Sequence, residues 1–226
     1  MAQAAIAVPP THVEEHTTST GLNNRKVLMW AFLGSDCMFF GSLIVTFLVY
    51  RGHWQAHPYP TAACLPNGEC GVFDIPYTSV SAFALLMSSL AMVLALAAIQ
   101  RGDIKRLKIW LLAVVGLGLV FIGGQIFEFT TFGREGLTLG LSTGGTTFFV
   151  LTGFHGTHVS LGIIWLLSLF LLARKGKMTQ ARSLDVEIAG LYWHFVDIVW
   201  IIIFTVVYLI PVEVVPVAAG AAGAVH

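Results

Sequence analysis

Five stretches of this chain, about residues 27–50, 77–99, 107–129, 146–173 and 186–211, are each long and apolar enough to cross a lipid bilayer. A helix needs roughly 20 mostly apolar residues to span a hydrocarbon core of about 30 Å. Barrel strands are excluded, because they are about ten residues long and alternate in character. Lipid offers no partner for a free N–H or C=O, so runs of this length must be helical. The expected fold class is therefore all-α, a polytopic membrane bundle of five transmembrane helices. Composition agrees where it decides something. Charged residues make up 11% of the 226, against roughly 25% in soluble domains. With a mean hydropathy of +0.81, a soluble surface would have too few charges to stay dispersed. Acidic and basic residues balance at 12 each with no basic block, which argues against nucleic acid as a partner.

Residues 1–26 are polar and lack the basic start and apolar core of a signal peptide, so they read as a retained cytoplasmic tail. The five-helix domain covers 27–211, and 212–226 form an Ala/Gly-rich outer tail. With the N-terminus inside, ten of the twelve basic residues fall on the cytoplasmic side and only Arg51 and Arg134 lie outside. That asymmetry follows the positive-inside rule and puts the C-terminus outside. Cys64 and Cys70 sit in the first outer loop, within CLPNGEC, where Pro66, Asn67 and Gly68 favour a turn. An oxidising compartment permits a structural disulfide there; two free thiols or a metal pair are the alternatives. Cys37, inside the first span, reads as a small packing residue.

Ionisable groups in a membrane are costly and normally face the bundle interior. Here they are Asp36, Glu128, His155, His158, His194 and Asp197, with Gln125 beside them. Counting depth from the inner end of each span places Asp36, His194 and Asp197 roughly 12–17 Å in, and Gln125, Glu128, His155 and His158 roughly 22–31 Å in. Two polar layers are expected, each with a carboxylate and an imidazole that could satisfy one another. Gln125/Glu128, His155/His158 and His194/Asp197 are i,i+3 pairs, expected to share helix faces. They read either as polar contacts between helices, worth about 0.6–2 kcal/mol each, or as a proton relay or metal site. The His-Gly-Thr-His run at 155–158 lacks the Glu and the i,i+4 spacing of a zinc-protease helix. No catalytic, cofactor-binding or metal-binding residue is expected in the chain. Gly116, Gly118, Gly123 and Gly124 suit close helix approach rather than nucleotide binding.

Two long motifs carry a resemblance. The run GLYWHFVDIVW at 190–200 closely resembles the last-helix signature of subunit III of haem–copper respiratory oxidases. The run FFVLTGFHGTHV at 148–159 resembles the helix before it in that family. Shorter matches follow in order: GSDCMFF at 34–40, LMSS at 86–89 and QIFEF at 125–129. The resemblance covers about residues 27–210. It implies a bacterial inner-membrane protein of the aerobic respiratory chain, with haem and copper held by partner subunits rather than by this chain. The partners implied are the catalytic subunit I, subunit II, membrane phospholipid and a larger respiratory supercomplex. The implied role is accessory, supporting assembly, lipid binding and proton uptake in an enzyme that reduces dioxygen to water and pumps protons.

Two departures bear on the details. Longer family members have seven helices and this chain matches the last five, as many bacterial members do. The family's cytochrome c branch has Ser-Glu where this chain has Ser35-Asp36, a quinol-branch feature, whereas the two long motifs resemble the cytochrome c branch. The balance favours cytochrome c as electron donor, with quinol the alternative. A stand-alone proton-coupled transporter using Asp36 and Asp197 is the reading from another class. A nitric oxide reductase is a third possible host.

Overall fold

The computed structural model describes residues 23–50, 75–134 and 143–210. It contains five long helices: α1 Asn24–Tyr50, α2 Ile75–Gln100, α3 Ile104–Arg134, α4 Thr143–Arg174 and α5 Ser183–Phe204. A single 3₁₀ turn, Gln180–Arg182, leads into α5, and a π-helical turn, Thr205–Leu209, continues it. All five are long and apolar enough to cross a membrane, and no strand occurs among the described residues. The chain is a multi-pass, all-helical membrane protein. At 1.5 Å per residue, the 31 residues of α3 and 32 of α4 exceed the bilayer core, so both run past its edges.

The two described turns at the basic end have a clear local cause. Gly102 has φ +77°, and Asp103 N–H reaches back to Ala98 O at 3.0 Å, closing α2. The Asp103 carboxylate then accepts the Arg106 N–H at 3.0 Å and so caps α3. Gly176, at φ +71°, ends α4 in the same way, with Lys177 N–H on Leu172 O at 3.0 Å. Only glycine adopts this left-handed conformation without strain, so each turn is fixed by one residue.

α5 is the centre of the bundle. It packs against α1, α2 and α4, while α3 joins α2 to α4. Of the most apolar window of each helix, 56% is buried for the α5 segment but 11% for α1. α1 therefore lies on the outside. Its start is tied to α5 by two ion pairs, Arg25–Asp185 at 2.7 Å and Lys26–Glu187 at 2.6 Å. Two cations at a helix N-terminus oppose the helix dipole, and the paired carboxylates offset that.

Four helices converge on one side chain. Trp193 of α5 is buried, and its indole N–H donates to Ser88 Oγ of α2 at 2.9 Å. A methyl group added at Gly118 of α3, or at Gly162 of α4, would come within 2.9 Å of the indole ring. Gly124 in turn admits Ser81 Oγ of α2, which lies 2.8 Å from where a Cβ would stand. Gly118 and Gly124 thus allow close approach, whereas Gly116 and Gly123 have nothing within 4 Å of a Cβ.

Candidate functional site: polar clusters in the bundle

The polar residues fall into separate clusters at helix contacts. Asp36 on α1 faces His158 on α4, Oδ2 to Nε2, at 3.7 Å. Both side chains are largely buried, and Phe40 meets the His158 ring edge-on at 5.0 Å between centroids. His158 Nδ1 is 2.8 Å from Phe154 O, and Tyr192 of α5 donates its hydroxyl to His158 O at 3.0 Å. The cluster therefore joins α1, α4 and α5.

This pairing corrects the expectation of two layers, which put Asp36 and His158 at different depths. Depth counted from apolar edges assumes upright helices with flush ends. α1 has 27 residues and α4 has 32, so they cannot be flush at both ends.

His194 and Asp197 of α5 both turn to α2. His194 Nδ1 and Ser89 Oγ are hydrogen-bonded at 3.0 Å, and the Asp197 carboxyl lies near the same serine. Asp36 and Asp197 thus have different partners on different helices.

Glu128 of α3 is buried and accepts two hydroxyl hydrogen bonds on one oxygen, from Thr78 at 2.8 Å and Tyr208 at 3.2 Å. Tyr208 lies within the π-helical turn, whose i+5 bond runs from Ile210 N–H to Thr205 O at 3.2 Å. The wider turn rotates the last residues of that helix relative to an α-helical continuation.

Gln125, one turn earlier on α3, points elsewhere: its amide N–H donates to Thr152 O of α4 at 2.9 Å. His155 is fully buried, stacked on Trp200 at 4.9 Å and edge-on to Phe121 at 5.8 Å. Neither of its ring nitrogens has a hydrogen-bond partner among the described residues.

The i,i+3 pairs therefore divide in two cases out of three. Three helical steps make roughly 300°, leaving about 60° between the two side chains. In a bundle where each helix has several neighbours, that is enough to send Gln125 to α4 and Glu128 to α2. It also sends His158 to α1 and His155 inward. His194 and Asp197 stay together because one serine faces both. The residues that sequence reasoning missed are the hydroxyl partners Thr78, Ser89, Tyr192 and Tyr208, and Ser88 beneath Trp193. The Ser88-Ser89 pair inside an apolar span was the available signal.

Among the described residues, no three His, Cys, Asp or Glu side chains converge where a metal ion could be held. Cys64 and Cys70 lie outside the described residues; Cys37 is a free, exposed thiol.

Comparison with known proteins then places the chain. The family model described as cytochrome c oxidase subunit III matches residues 6–212. The chain is 36% identical over 195 residues to the quinol oxidase subunit 3 of Bacillus spizizenii, covering 86% of this chain and 91% of that one. To the cytochrome c oxidase subunit 3 of Alkalihalophilus pseudofirmus it is 37% identical over 205 residues, covering 90% and 94%. The cytochrome c oxidase subunit 3 of Bacillus subtilis is 35% identical over 187 residues, 82% of this chain and 86% of the relative. With both long motifs lying on α4 and α5 around Trp193 and His158, the chain belongs to the cytochrome c oxidase subunit III family, as a subunit III of a terminal oxidase.

Proposed function

We propose that this chain is an accessory, non-catalytic subunit of an aerobic oxidase that reduces dioxygen to water, seated in a bacterial inner membrane with its N-terminus in the cytoplasm. Haem and copper would be held by partner subunits I and II. The observation that carries the reading is the family match across all five helices. The disposition of the polar groups supports it: they lie in separate clusters at helix contacts instead of around one reacting point.

Within that role, the Asp36–His158 pair is suited to holding a proton on the imidazole, whose cationic form would stand 3.7 Å from the carboxylate. Assembly and a contribution to proton uptake are the functions assigned to it. A groove at the basic end, lined by Leu28, Met29, Phe32 and Ile188 beside the Arg25–Asp185 ion pair, has apolar walls that suit the acyl chain of a phospholipid. Identity of 36% and 37% to quinol and cytochrome c types alike supports a donor site on other subunits.

The test is a reduced-minus-oxidised optical spectrum of the complex retrieved from native membranes through a tag on this chain. Haem bands of an oxygen-reducing oxidase are expected, with oxygen uptake driven by either quinol or cytochrome c identifying the donor. A preparation free of haem would defeat the proposal.

A further inference from the structure

At the turn between α2 and α3 the basic end of the bundle has a cavity of about 390 Å³, lined by none of the residues of the α1–α5 groove. Arg101, just past α2, and Arg106, in the first turn of α3, both line it. So do Trp110 of α3 and Leu94, Ala97 and Ala98 of α2. The lining is graded along the helices. At 1.5 Å per residue, Trp110 lies roughly 6 Å deeper than Arg106, and Leu94 roughly 10 Å deeper than Arg101. Charge therefore stands at the bilayer edge, the amphipathic indole at headgroup level and an apolar wall below it.

The electrostatics of the cavity decide what it can take. It also contains one carboxylate, Asp103, which is committed within its own turn. Asp103 Oδ1 accepts the Arg106 N–H at 3.0 Å, and Oδ2 lies 3.2 Å from Arg106 Nε. That ion pair leaves the two Nη groups of Arg106 at the cavity. No carboxylate among the described residues pairs with Arg101. Two guanidinium groups against one carboxylate leave one positive charge in excess, on a side chain whose planar fork of donors matches the oxygens of a phosphate. Basic pockets between membrane helices hold lipid headgroups by this chemistry. A free anion would meet the guanidinium groups but leave Leu94, Ala97 and the indole without an apolar partner. An uncharged acyl chain would do the reverse. An anionic amphiphile meets both.

We propose that the α2–α3 cavity binds an anionic phospholipid, its phosphodiester held by Arg101 and Arg106 and the first part of an acyl chain lying along Trp110, Ala97 and Leu94. The site follows from the membrane-spanning fold and is independent of the oxidase reading above.

The test uses the whole complex, retrieved through a tag on this chain, delipidated in detergent and given phosphatidylglycerol with a diazirine near the ester end of one acyl chain. Photolabelling of the segment 94–110 is expected, competed by unlabelled phosphatidylglycerol and not by inorganic phosphate. Arg101 is exposed, so Arg101→Gln leaves the packing intact, and it should weaken the labelling ~5-fold, the worth of one basic residue near an anionic headgroup. Lys177→Gln changes an exposed basic residue at the same end that does not line the cavity, and should leave the labelling unchanged. Equal losses for the two variants would mean diffuse surface charge and overturn the site. Equal labelling by a phosphatidylcholine probe would leave the arginines without a role and overturn it as well. Competition by inorganic phosphate would assign the cavity to a soluble anion, and absence of labelling in the segment would reject it altogether.

Discussion

Trp193 N–H donates to Ser88 Oγ at 2.9 Å while the same indole lies between Gly118 and Gly162. One side chain of α5 thereby sets the spacing of α2, α3 and α4. The hydrogen bond fixes which way the ring points, and the two glycines leave the thickness of the ring and little more. The longest motif of the sequence owes part of its form to this packing.

Gly162→Ala should therefore overpack the junction. A methyl group 2.9 Å from Trp193 Cζ3 must displace a fully buried ring, at a cost of about 1–3 kcal/mol. The same change at Gly116, which has nothing within 4 Å, should be near neutral or slightly stabilising, since alanine favours helix. Thermal unfolding of the purified complex, followed by this subunit's loss of protease resistance, separates the two. Equal midpoints would refute the assignment.

Glu128 is the shared acceptor for Thr78 and Tyr208. Replacing it with Leu removes both bonds and should destabilise by about 1–3 kcal/mol. Tyr208→Phe removes one and should cost about 0.6–1 kcal/mol. The order of the two in a denaturation series is the check; a larger loss for Tyr208→Phe would mean that the π-helical turn, not the hydrogen bond, anchors this end.

His155 is held by aromatic contact, stacked on Trp200 and edge-on to Phe121. His155→Phe keeps the ring and should cost less than about 1.5 kcal/mol. His155→Ala opens a cavity between three helices and should cost about 2–4 kcal/mol. Unfolding midpoints of the two variants test this, and a severe loss with Phe would assign the imidazole a polar role.

Asp197 is buried near Ser89 of α2, beside the His194 contact. Asp197→Asn is expected to weaken assembly or shorten the lifetime of turnover while the haem spectrum of the assembled complex stays unchanged. The measurements are subunit stoichiometry after detergent washing, oxygen uptake over successive turnovers, and the optical spectrum. An altered haem band in a fully assembled complex would contradict a role remote from the haem.

Much of the architecture was legible in the chain itself, because the bilayer leaves so few solutions. A run of about 20 apolar residues can only be a helix there. Five such runs therefore give five helices, whereas the roles of Gly102 and Gly176 in closing two of them appear only in their positive φ. Motif order on the last two spans carried the family. The choice of partner was legible only in part. Asp36, Glu128 and His155 stood out as polar residues in apolar surroundings, but tertiary packing decided that Asp36 meets His158, that Glu128 meets two hydroxyls and that His155 meets rings. Sequence spacing fixes a side chain's angle about its own helix. It fixes neither the rise of that helix against its neighbours nor which neighbour occupies that angle, and both follow only from how unequal helices, clasped around Trp193, settle together.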